Sequence, residues 1–316
     1  MTISKVEMRD VFIGELCSRA QQDPNIIFMS NDFGAPSLDR FRQESPRQFI
    51  NAGISEQNII SVAAGMALEG KHVFVYSIAS FITLRCYEQV KLDLCEMRLP
   101  VAILGVGPCY GYGPDGPTHH ATEDITIMRA LANMSIYSPA DAQASEAFVS
   151  VALDSNGPIY VRLDRGKWPL LYDKGASFTQ GFTVLREGED VCIVSTGIMV
   201  HRALEVAEEL MKYSIHASVI DMYRLKPVQR LPLVDAITRS EQVVTIEEHT
   251  INGGLGSLIV ELLADASAPL PVKRCAISDE LLYAYGTRDI LQCDRRLDKE
   301  SLVTAIAEWM QGGKNG

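Results

Sequence analysis

Long apolar runs and paired cysteines are both missing from this sequence of 316 residues. No run approaches the ~20 apolar residues that a membrane-spanning helix needs. The first ten residues, MTISKVEMRD, carry no signal-peptide pattern, so we expect neither export nor contact with a membrane. The seven cysteines form no CxxC motif, which argues against a zinc site or a disulfide framework. Reduced thiols of this kind are typical of a cytoplasmic protein.

Positive charge is also scarce, since 29 Lys and Arg face 40 Asp and Glu and the net charge is −11. A nucleic-acid surface needs clustered Lys and Arg to neutralise phosphates, so we expect no nucleic-acid partner. Hydrophobic residues make up 47% and charged residues 22% of the chain, as in ordinary globular proteins. At ~100–200 residues per domain, the length allows two or three domains.

Short runs of β-branched and aromatic residues alternate with helical patterns along the chain. These runs are apolar almost throughout, which is typical of strands buried on both faces of a parallel sheet. We predict an α/β fold with helices on both sheet faces. The predicted strands are 26–29, 72–78, 101–104, 159–163, 191–195, 216–222 and 243–246. One predicted helix carries an apolar stripe at Leu84, Tyr87, Val90, Leu94 and Met97.

The alternation of strands and helices stops between Arg165 and Asp190, where Gly, polar and charged residues dominate. We interpret this stretch as a linker. The predicted domains are residues 1–175 and 185–316, each a mainly parallel sheet flanked by helices.

A first candidate for chemistry is Glu56, in the segment NAGISEQN ahead of a small, apolar helix. Ser55 is the predicted N-cap of this helix, and an acid in the first turn also simply complements the helix dipole. If the carboxyl group instead faces a cleft, partial loss of water favours its neutral form, which donates a hydrogen bond. The residues alone leave both interpretations open.

Two further candidate segments follow predicted strands. In SIASFITLRCY, Phe81 and Tyr87 either pack in the core or form an aromatic wall for a flat heterocycle. The loop GVGPCYGYGPDGPTHH follows strand 101–104 at the end where ligands bind in open α/β sheets. It presents Asp115, His119 and His120, and a plain surface turn is the alternative. Adjacent histidines without a third ligand argue against a metal site.

These segments, in this order, resemble the C-terminal half of transketolase and its thiamine-diphosphate-dependent relatives. The similar stretches are FINAGISEQNIISVAAGMALEG, YSIASF, GPDGPTHHATEDITIMRALANMSIYSPAD and TIEEHTINGGLGS, which extend over nearly the whole chain. The similarity is strongest to stand-alone C-terminal sections of transketolase. It implies a pyrimidine-binding domain, a transketolase C-terminal domain and the transfer of a two-carbon ketol unit from a ketose to an aldose.

The resemblance also implies roles for individual residues. Glu56 corresponds to the catalytic glutamate that hydrogen-bonds N1′ of the coenzyme's aminopyrimidine, and Phe81 to the ring stacked on it. His119 corresponds to the catalytic histidine near the reactive C2 atom. The other implied site residues are Tyr87 and Asp32 for the cofactor and Asp115, His120, Arg165 and Arg9 for the substrate.

The absence of one motif of the family implies a partner chain. The family holds the coenzyme's diphosphate through Mg²⁺ with a GDG motif in another domain, and no GDG occurs here. We therefore expect an N-terminal transketolase subunit that carries the diphosphate-binding domain and most of the Mg²⁺ ligands, in an α₂β₂ assembly. No metal ligand is predicted in this chain itself.

Three positions depart from typical transketolases, namely Gly107 in place of His, Pro114 in place of Glu and Leu84 in place of an aromatic residue. Because the missing histidine normally contacts the substrate phosphate, a modified, branched or sulfonated sugar is expected. Two alternatives stay open. One is the β subunit of a 2-oxo acid dehydrogenase complex, and the other is a non-catalytic assembly subunit that kept the fold.

Overall fold

The computed structural model describes residues 7–280 and 283–312, so the outer ends of both predicted domains, 1–6 and 313–316, lie outside it. Within those ranges the strands are β1 (Ile26–Ser30), β2 (Phe49–Asn51), β3 (His72–Ile78), β4 (Val101–Val106), β5 (Ser135–Tyr137), β6 (Ile159–Leu163), β7 (Thr183–Arg186), β8 (Val191–Ser195), β9 (Ala217–Asp221), β10 (Arg224–Lys226), β11 (Gln242–Thr250) and β12 (Val272–Ile277). The α-helices are α1 (Met8–Ala20), α2 (Pro36–Glu44), α3 (Glu56–Leu68), α4 (Tyr87–Gln89), α5 (Asp124–Ala130), α6 (Ala142–Leu153), α7 (Met199–Leu210), α8 (Arg230–Ile237), α9 (Leu255–Asp265), α10 (Arg288–Asp294) and α11 (Lys299–Gly312).

Two mainly parallel sheets confirm the predicted α/β fold. The first has seven strands in the order β10-β5-β6-β4-β3-β1-β2, and only the β10–β5 pair is antiparallel. The second has five strands in the order β12-β11-β8-β9-β7, and only the β7–β9 pair is antiparallel. Every residue of β1, β4, β6, β8 and β9 is buried, as expected for strands covered by helices on both faces.

The two halves of the chain share a strand and a core. β10 comes after the predicted linker, yet it pairs with β5 at the edge of the first sheet. One apolar cluster contains Ile82 and Leu131 from before the linker together with Leu225 and Leu255 from after it. The two sheets are therefore packed units that interlock, and are not joined by the linker alone.

The prediction of a regular α-helix with one apolar stripe over residues 84–97 is wrong, because much of this segment is π-helical. The segments Phe81–Arg85 and Val90–Glu96 are π-helical, with the short α4 between them. Leu84 and Met97, predicted to be buried, are 46% and 50% exposed. The wider π-turn bonds each residue to the fifth one along, so positions spaced by three and four do not stay on one face.

The described residues contain no helix that is both long and apolar enough to cross a membrane. All seven cysteines are free thiols, and Cys293 is the exposed one.

Candidate active site

The predicted site residues, except Arg9 on α1, lie in segments that follow five parallel strands of the first sheet. The carboxyl ends of parallel strands meet at one edge of a sheet, which is where ligands bind in open α/β folds. Asp32 follows β1, Glu56 follows β2, Phe81 follows β3, Asp115, His119 and His120 follow β4, and Arg165 follows β6.

Glu56 begins α3 with a carboxyl group that is almost wholly buried, the residue being 5% exposed. Its Oε1 atom accepts a hydrogen bond from Nη1 of Arg85 at 3.2 Å. Ser55 occupies the N-cap position as predicted, but its hydroxyl donates to the Ala52 carbonyl oxygen at 2.6 Å and makes no cap. The carboxyl group therefore faces a surface cavity of about 450 Å³ whose lining residues are Ile54, Ser55, Glu56, Gln57, Asn58 and Arg85.

Arg85 connects Glu56 to Phe81. Its guanidinium carbon lies 3.8 Å from the centre of the half-buried Phe81 ring, a cation–π contact. One guanidinium group thus contacts both side chains that the family resemblance implies bind a pyrimidine ring. Arg85 was not predicted as a site residue, although its position four residues after Phe81 in a helical segment indicated that the two side chains meet.

His119 continues the arrangement on the other side of Phe81. The two ring centres are 5.0 Å apart, with the planes inclined by 60°. The His119 Nδ1 atom is 2.9 Å from the Thr118 hydroxyl, and the ring centre is 6.0 Å from that of Tyr112. His119 therefore contacts two aromatic rings, and it makes its hydrogen bond with Thr118 through Nδ1.

Tyr112 joins His119 to Arg165. The guanidinium carbon of Arg165 lies 4.4 Å from the centre of the Tyr112 ring, and its Nη1 donates to the Gly111 carbonyl oxygen at 3.3 Å. A second cavity of about 400 Å³ borders Arg165 and Gly111. The result is one continuous line of side chains, Glu56, Arg85, Phe81, His119, Tyr112 and Arg165. Tyr112 is a second residue that was missed, and its place in the glycine-rich loop was the available signal.

The second half of the chain holds the backbone next to Arg165. Arg288, at the start of α10, donates to both carboxylate oxygens of Asp164 at 2.6 and 2.9 Å and to Glu248 at 2.6 Å. The Asp164 carboxylate in turn accepts the Arg165 backbone N–H at 2.7 Å. Burial raises the pKa of Asp164, and the Arg288 guanidinium opposes that rise. This bridge fixes Arg165 relative to the second sheet.

His120 and Tyr87 make contacts within the fold. His120 is 7% exposed, with its Nε2 atom 3.3 Å from the Gly113 carbonyl oxygen and its ring edge-on to Tyr110. Burial lowers the pKa of His120, which favours a neutral ring. The Tyr87 hydroxyl donates to the Ile127 carbonyl oxygen at 2.9 Å. These contacts hold the loop and the core, and roles in substrate or cofactor binding stay predictions for both.

The three remaining predicted residues lie at the border of the site. Asp32 is exposed and accepts from the Asn51 side-chain amide at 3.3 Å, and Asp115 is exposed. Arg9 pairs with Glu7 and Asp10 at 3.1 and 2.9 Å. Asp32 and Asp115 are therefore open to solvent, whereas the Arg9 side chain is mostly buried.

Other cavities of the described chain offer no comparable chemistry. A larger surface cavity, about 540 Å³, borders Tyr137, Phe178 and Arg224 and contains none of the predicted site residues. Among the residues that the structure describes, no group of three or more His, Cys, Asp or Glu is placed to hold a metal ion. We therefore place the candidate active site at the line from Glu56 to Arg165.

Comparison with known families decides between the alternatives. Residues 4–169 match the model of the transketolase pyrimidine-binding domain, and residues 181–301 match that of the transketolase C-terminal domain. The chain belongs to the transketolase family. It is a transketolase subunit of the transferase class, and the comparisons favour this over a 2-oxo acid dehydrogenase β subunit.

Relatives of full length include separate transketolase subunits. An apulose-4-phosphate transketolase subunit of Phocaeicola vulgatus is 34% identical over 314 residues, covering 98% of this chain and 100% of the relative. The 6-deoxy-6-sulfo-D-fructose transketolase subunit of a Clostridium species is 36% identical over 303 residues, covering 95% of this chain and 94% of the relative.

Solved structures match in the same way. A split-gene transketolase solved as an inactive β4 tetramer is 35% identical with a TM-score of 0.88, and the match covers 97% of this chain and 99% of that one. The transketolase of Campylobacter jejuni matches 96% of this chain but 46% of its own length, with 19% identity and a TM-score of 0.80, and shows the fold alone. This transketolase subunit therefore has the fold of the second half of a full-length enzyme.

Proposed function

We propose that this chain is the C-terminal, or β, subunit of a split thiamine-diphosphate-dependent transketolase that transfers a two-carbon ketol unit from a ketose to an aldose. The observation that carries the proposal is the continuous line from Glu56 to Arg165, since it joins a pyrimidine subsite to an anion subsite. In this proposal residues 1–175 form the pyrimidine-binding domain and 185–316 the C-terminal domain, with β10 added to the first sheet. The free thiols support a cytoplasmic location.

The chemistry of Glu56 and Phe81 fits the aminopyrimidine of thiamine diphosphate. A nearly buried carboxyl group is suited to share a proton with a ring nitrogen, and an aromatic face next to it is suited to stack on the same ring. Thiamine diphosphate, when bound, supplies the reactive carbon that breaks and forms the carbon–carbon bond. In this proposal Glu56 holds a proton at N1′, and Tyr87 and Asp32 complete the wall of the pocket.

The sugar would occupy the rest of the line. His119, whose hydrogen bond with Thr118 uses Nδ1, moves a proton at a substrate oxygen. Arg165 and Arg9 bind an anionic end group, because guanidinium groups donate paired hydrogen bonds to tetrahedral oxyanions. Asp115 accepts a hydrogen bond from a sugar hydroxyl, and His120 borders this subsite. The relatives act on a phosphorylated and a sulfonated sugar by name, which agrees with an anionic substrate.

An exposed apolar face supports a partner subunit. Ile54 lines the Glu56 cavity and is 81% exposed, and Leu84, next to Arg85 in the chain, is 46% exposed. Further exposed apolar residues are Val62 on α3, Leu92 on the second π-helical segment and Met97 directly after it, and we propose that together they form one face. A hydrogen bond from Ser61 to Asp93 joins these two elements. Exposed apolar residues grouped in this way mark protein interfaces. We propose that an N-terminal subunit binds here and supplies the diphosphate-binding domain and Mg²⁺ ligands, in an α₂β₂ assembly.

The test begins with purification of this chain from its native cells together with any subunit bound to it. Ketol transfer by this complex is then measured with thiamine diphosphate and Mg²⁺. Glu56→Gln keeps the shape of the side chain but removes the acid, so we expect turnover to fall by about 100-fold or more. Glu69→Gln, at the exposed C-terminal end of the same helix, is the matched control and should retain wild-type turnover.

Other outcomes would favour the alternatives. Release of CO₂ from pyruvate or a branched 2-oxo acid, without ketol transfer, would support a decarboxylating complex. An assembled pair that fails to bind thiamine diphosphate would support a non-catalytic assembly subunit. Full turnover in Glu56→Gln would remove Glu56 from the mechanism.

A further inference from the structure

Gly107 and Tyr112 form a matched pair in the glycine-rich loop. Gly107 has φ +66°, a backbone conformation that residues with a Cβ atom rarely adopt. A Cβ atom there would overlap the Tyr112 ring, lying 2.5 Å from Cδ2 and closer still to Cε2, and would be 3.3 Å from Cδ of Arg165. The Tyr112 ring therefore packs directly on the Gly107 backbone and takes the space that a side chain at position 107 would fill.

The Tyr112 ring lies between the two ends of the proposed sugar site. His119 is on one side, with the ring centres 6.0 Å apart, and the Arg165 guanidinium stacks on the ring at 4.4 Å. Arg165 is also held by the Gly111 carbonyl oxygen. Any sugar that reaches from His119 to Arg165 must therefore pass along Tyr112.

Charged side chains act on the ionisation of Tyr112, and three of them are residues that we assign to substrate binding. Burial raises the pKa of Tyr112, the Arg165 and Arg9 guanidinium groups oppose that rise, and the Asp115 and Glu7 carboxylates add to it. The net rise keeps the phenol protonated at neutral pH, so the hydroxyl is available as a hydrogen-bond donor. The stacking of the Arg165 guanidinium on the Tyr112 ring, at 4.4 Å, places this tyrosine next to the proposed anion subsite.

We propose that Tyr112 is a specificity-determining residue that donates a hydrogen bond to the terminal phosphate or sulfonate of the sugar, next to Arg165 and Arg9. Its ring sets the width of the channel, and its hydroxyl distinguishes an anionic end group from a neutral one. Because the shared chemistry is a tetrahedral oxyanion with several acceptor oxygens, phosphate and sulfonate are both candidates. This inference rests on the proposed function and names a residue of its substrate site.

The test measures binding in the absence of a ketose donor, so it does not depend on turnover. Ribose 5-phosphate and ribose, which differ only in the end group, are titrated into the purified chain, alone and with its partner, in a calorimeter. Tyr112→Phe keeps the ring and removes the hydroxyl. We expect it to weaken ribose 5-phosphate binding by about tenfold, as for the loss of one hydrogen bond to a charged group, and to leave ribose binding unchanged. Tyr213→Phe, on the exposed surface of the second half, is the control.

Two further experiments test whether the site binds phosphate, sulfonate or both, and what the Tyr112 ring contributes. Ribose carrying a 5-sulfonate in place of the phosphate should lose affinity equally in Tyr112→Phe if the site binds either group. Tyr112→Ala removes the wall as well, so it should also raise KM for neutral aldoses while Tyr112→Phe does not.

Several outcomes would overturn the proposal. Unchanged ribose 5-phosphate binding in Tyr112→Phe would do so, and so would an equal loss for ribose and ribose 5-phosphate, or no preference of the wild-type protein for the phosphorylated sugar. A protein that shows the predicted discrimination in binding but transfers no ketol unit would instead contradict the proposed function and leave the assignment of Tyr112 in place.

Discussion

At the scale of single residues, Arg85 occupies the two groups that we propose bind the pyrimidine ring of the coenzyme. Its guanidinium stacks on Phe81 and pairs with Glu56, so in this proposal a pyrimidine ring reaches both only after Arg85 has moved. The pair is half-exposed on the arginine side, and such ion pairs and cation–π contacts each stabilise by only about 0–1 kcal/mol. The free energy of displacing Arg85 is therefore small but measurable.

We expect Arg85→Ala to bind thiamine diphosphate about threefold to tenfold more tightly than the wild-type complex, because nothing has to be displaced. Quenching of intrinsic fluorescence on titration with the coenzyme and Mg²⁺ measures this directly. Lys91→Ala, exposed on the second π-helical segment, serves as the control. Weaker binding in Arg85→Ala would show that the guanidinium helps to hold the coenzyme.

The positions of Phe81 and His119 after a strand were predictable from the sequence, whereas the contacts between the site residues were not. Glu56 was found from its place at the start of a small, apolar helix. Arg85 and Glu56 are 29 positions apart, and no local pattern indicates that they pair. The contact between Tyr112 and Arg165 likewise depends on β4 and β6 being neighbours in the sheet.

At the scale of elements, long buried strands were predictable and strands of three residues were not. The observed β3, β6 and β8 match the predicted bounds because five to seven residues that are mostly apolar or β-branched form a clear signal. β2, β5 and β10 have three residues each, too few to show a period. The π-helical turns were missed because the pattern was compared only with a period of 3.6 residues.

The end of β11 carries a buried histidine that makes stability depend on pH. His249 is fully buried, with Nδ1 2.9 Å from the Thr250 carbonyl oxygen and Nε2 3.8 Å from Asp124 of α5. Burial lowers the pKa of His249 to about 4. The unfolded chain, with a histidine pKa of about 6.5, therefore binds more protons than the folded chain between these values, and acid destabilises the fold.

We expect His249→Gln to remove this dependence. Between pH 7 and pH 5 the free energy of unfolding of the wild-type chain should fall by about 2 kcal/mol relative to that of the variant. Urea denaturation at several pH values measures the difference. A constant difference across this range would mean that His249 does not titrate as described.

At the scale of the whole molecule, the exposed apolar face around Glu56 should control assembly. Leu84→Glu places an unpaired charge in the proposed interface, so we expect binding of the partner subunit to weaken by at least about tenfold. Analytical ultracentrifugation of the mixed subunits measures the affinity. Leu231→Glu makes the same change at an exposed leucine of α8 and should leave assembly intact. Equal loss in both variants would point to a general effect of charge.

The strand β10 has a consequence for how a gene of this kind can be divided. A break in the reading frame within residues 176–182 would leave β10 in one polypeptide and its neighbour β5 in the other. The first product would expose an unpaired sheet edge, which invites aggregation. We therefore expect gene fission at that point to be disfavoured and the two regions to be inherited as one cistron.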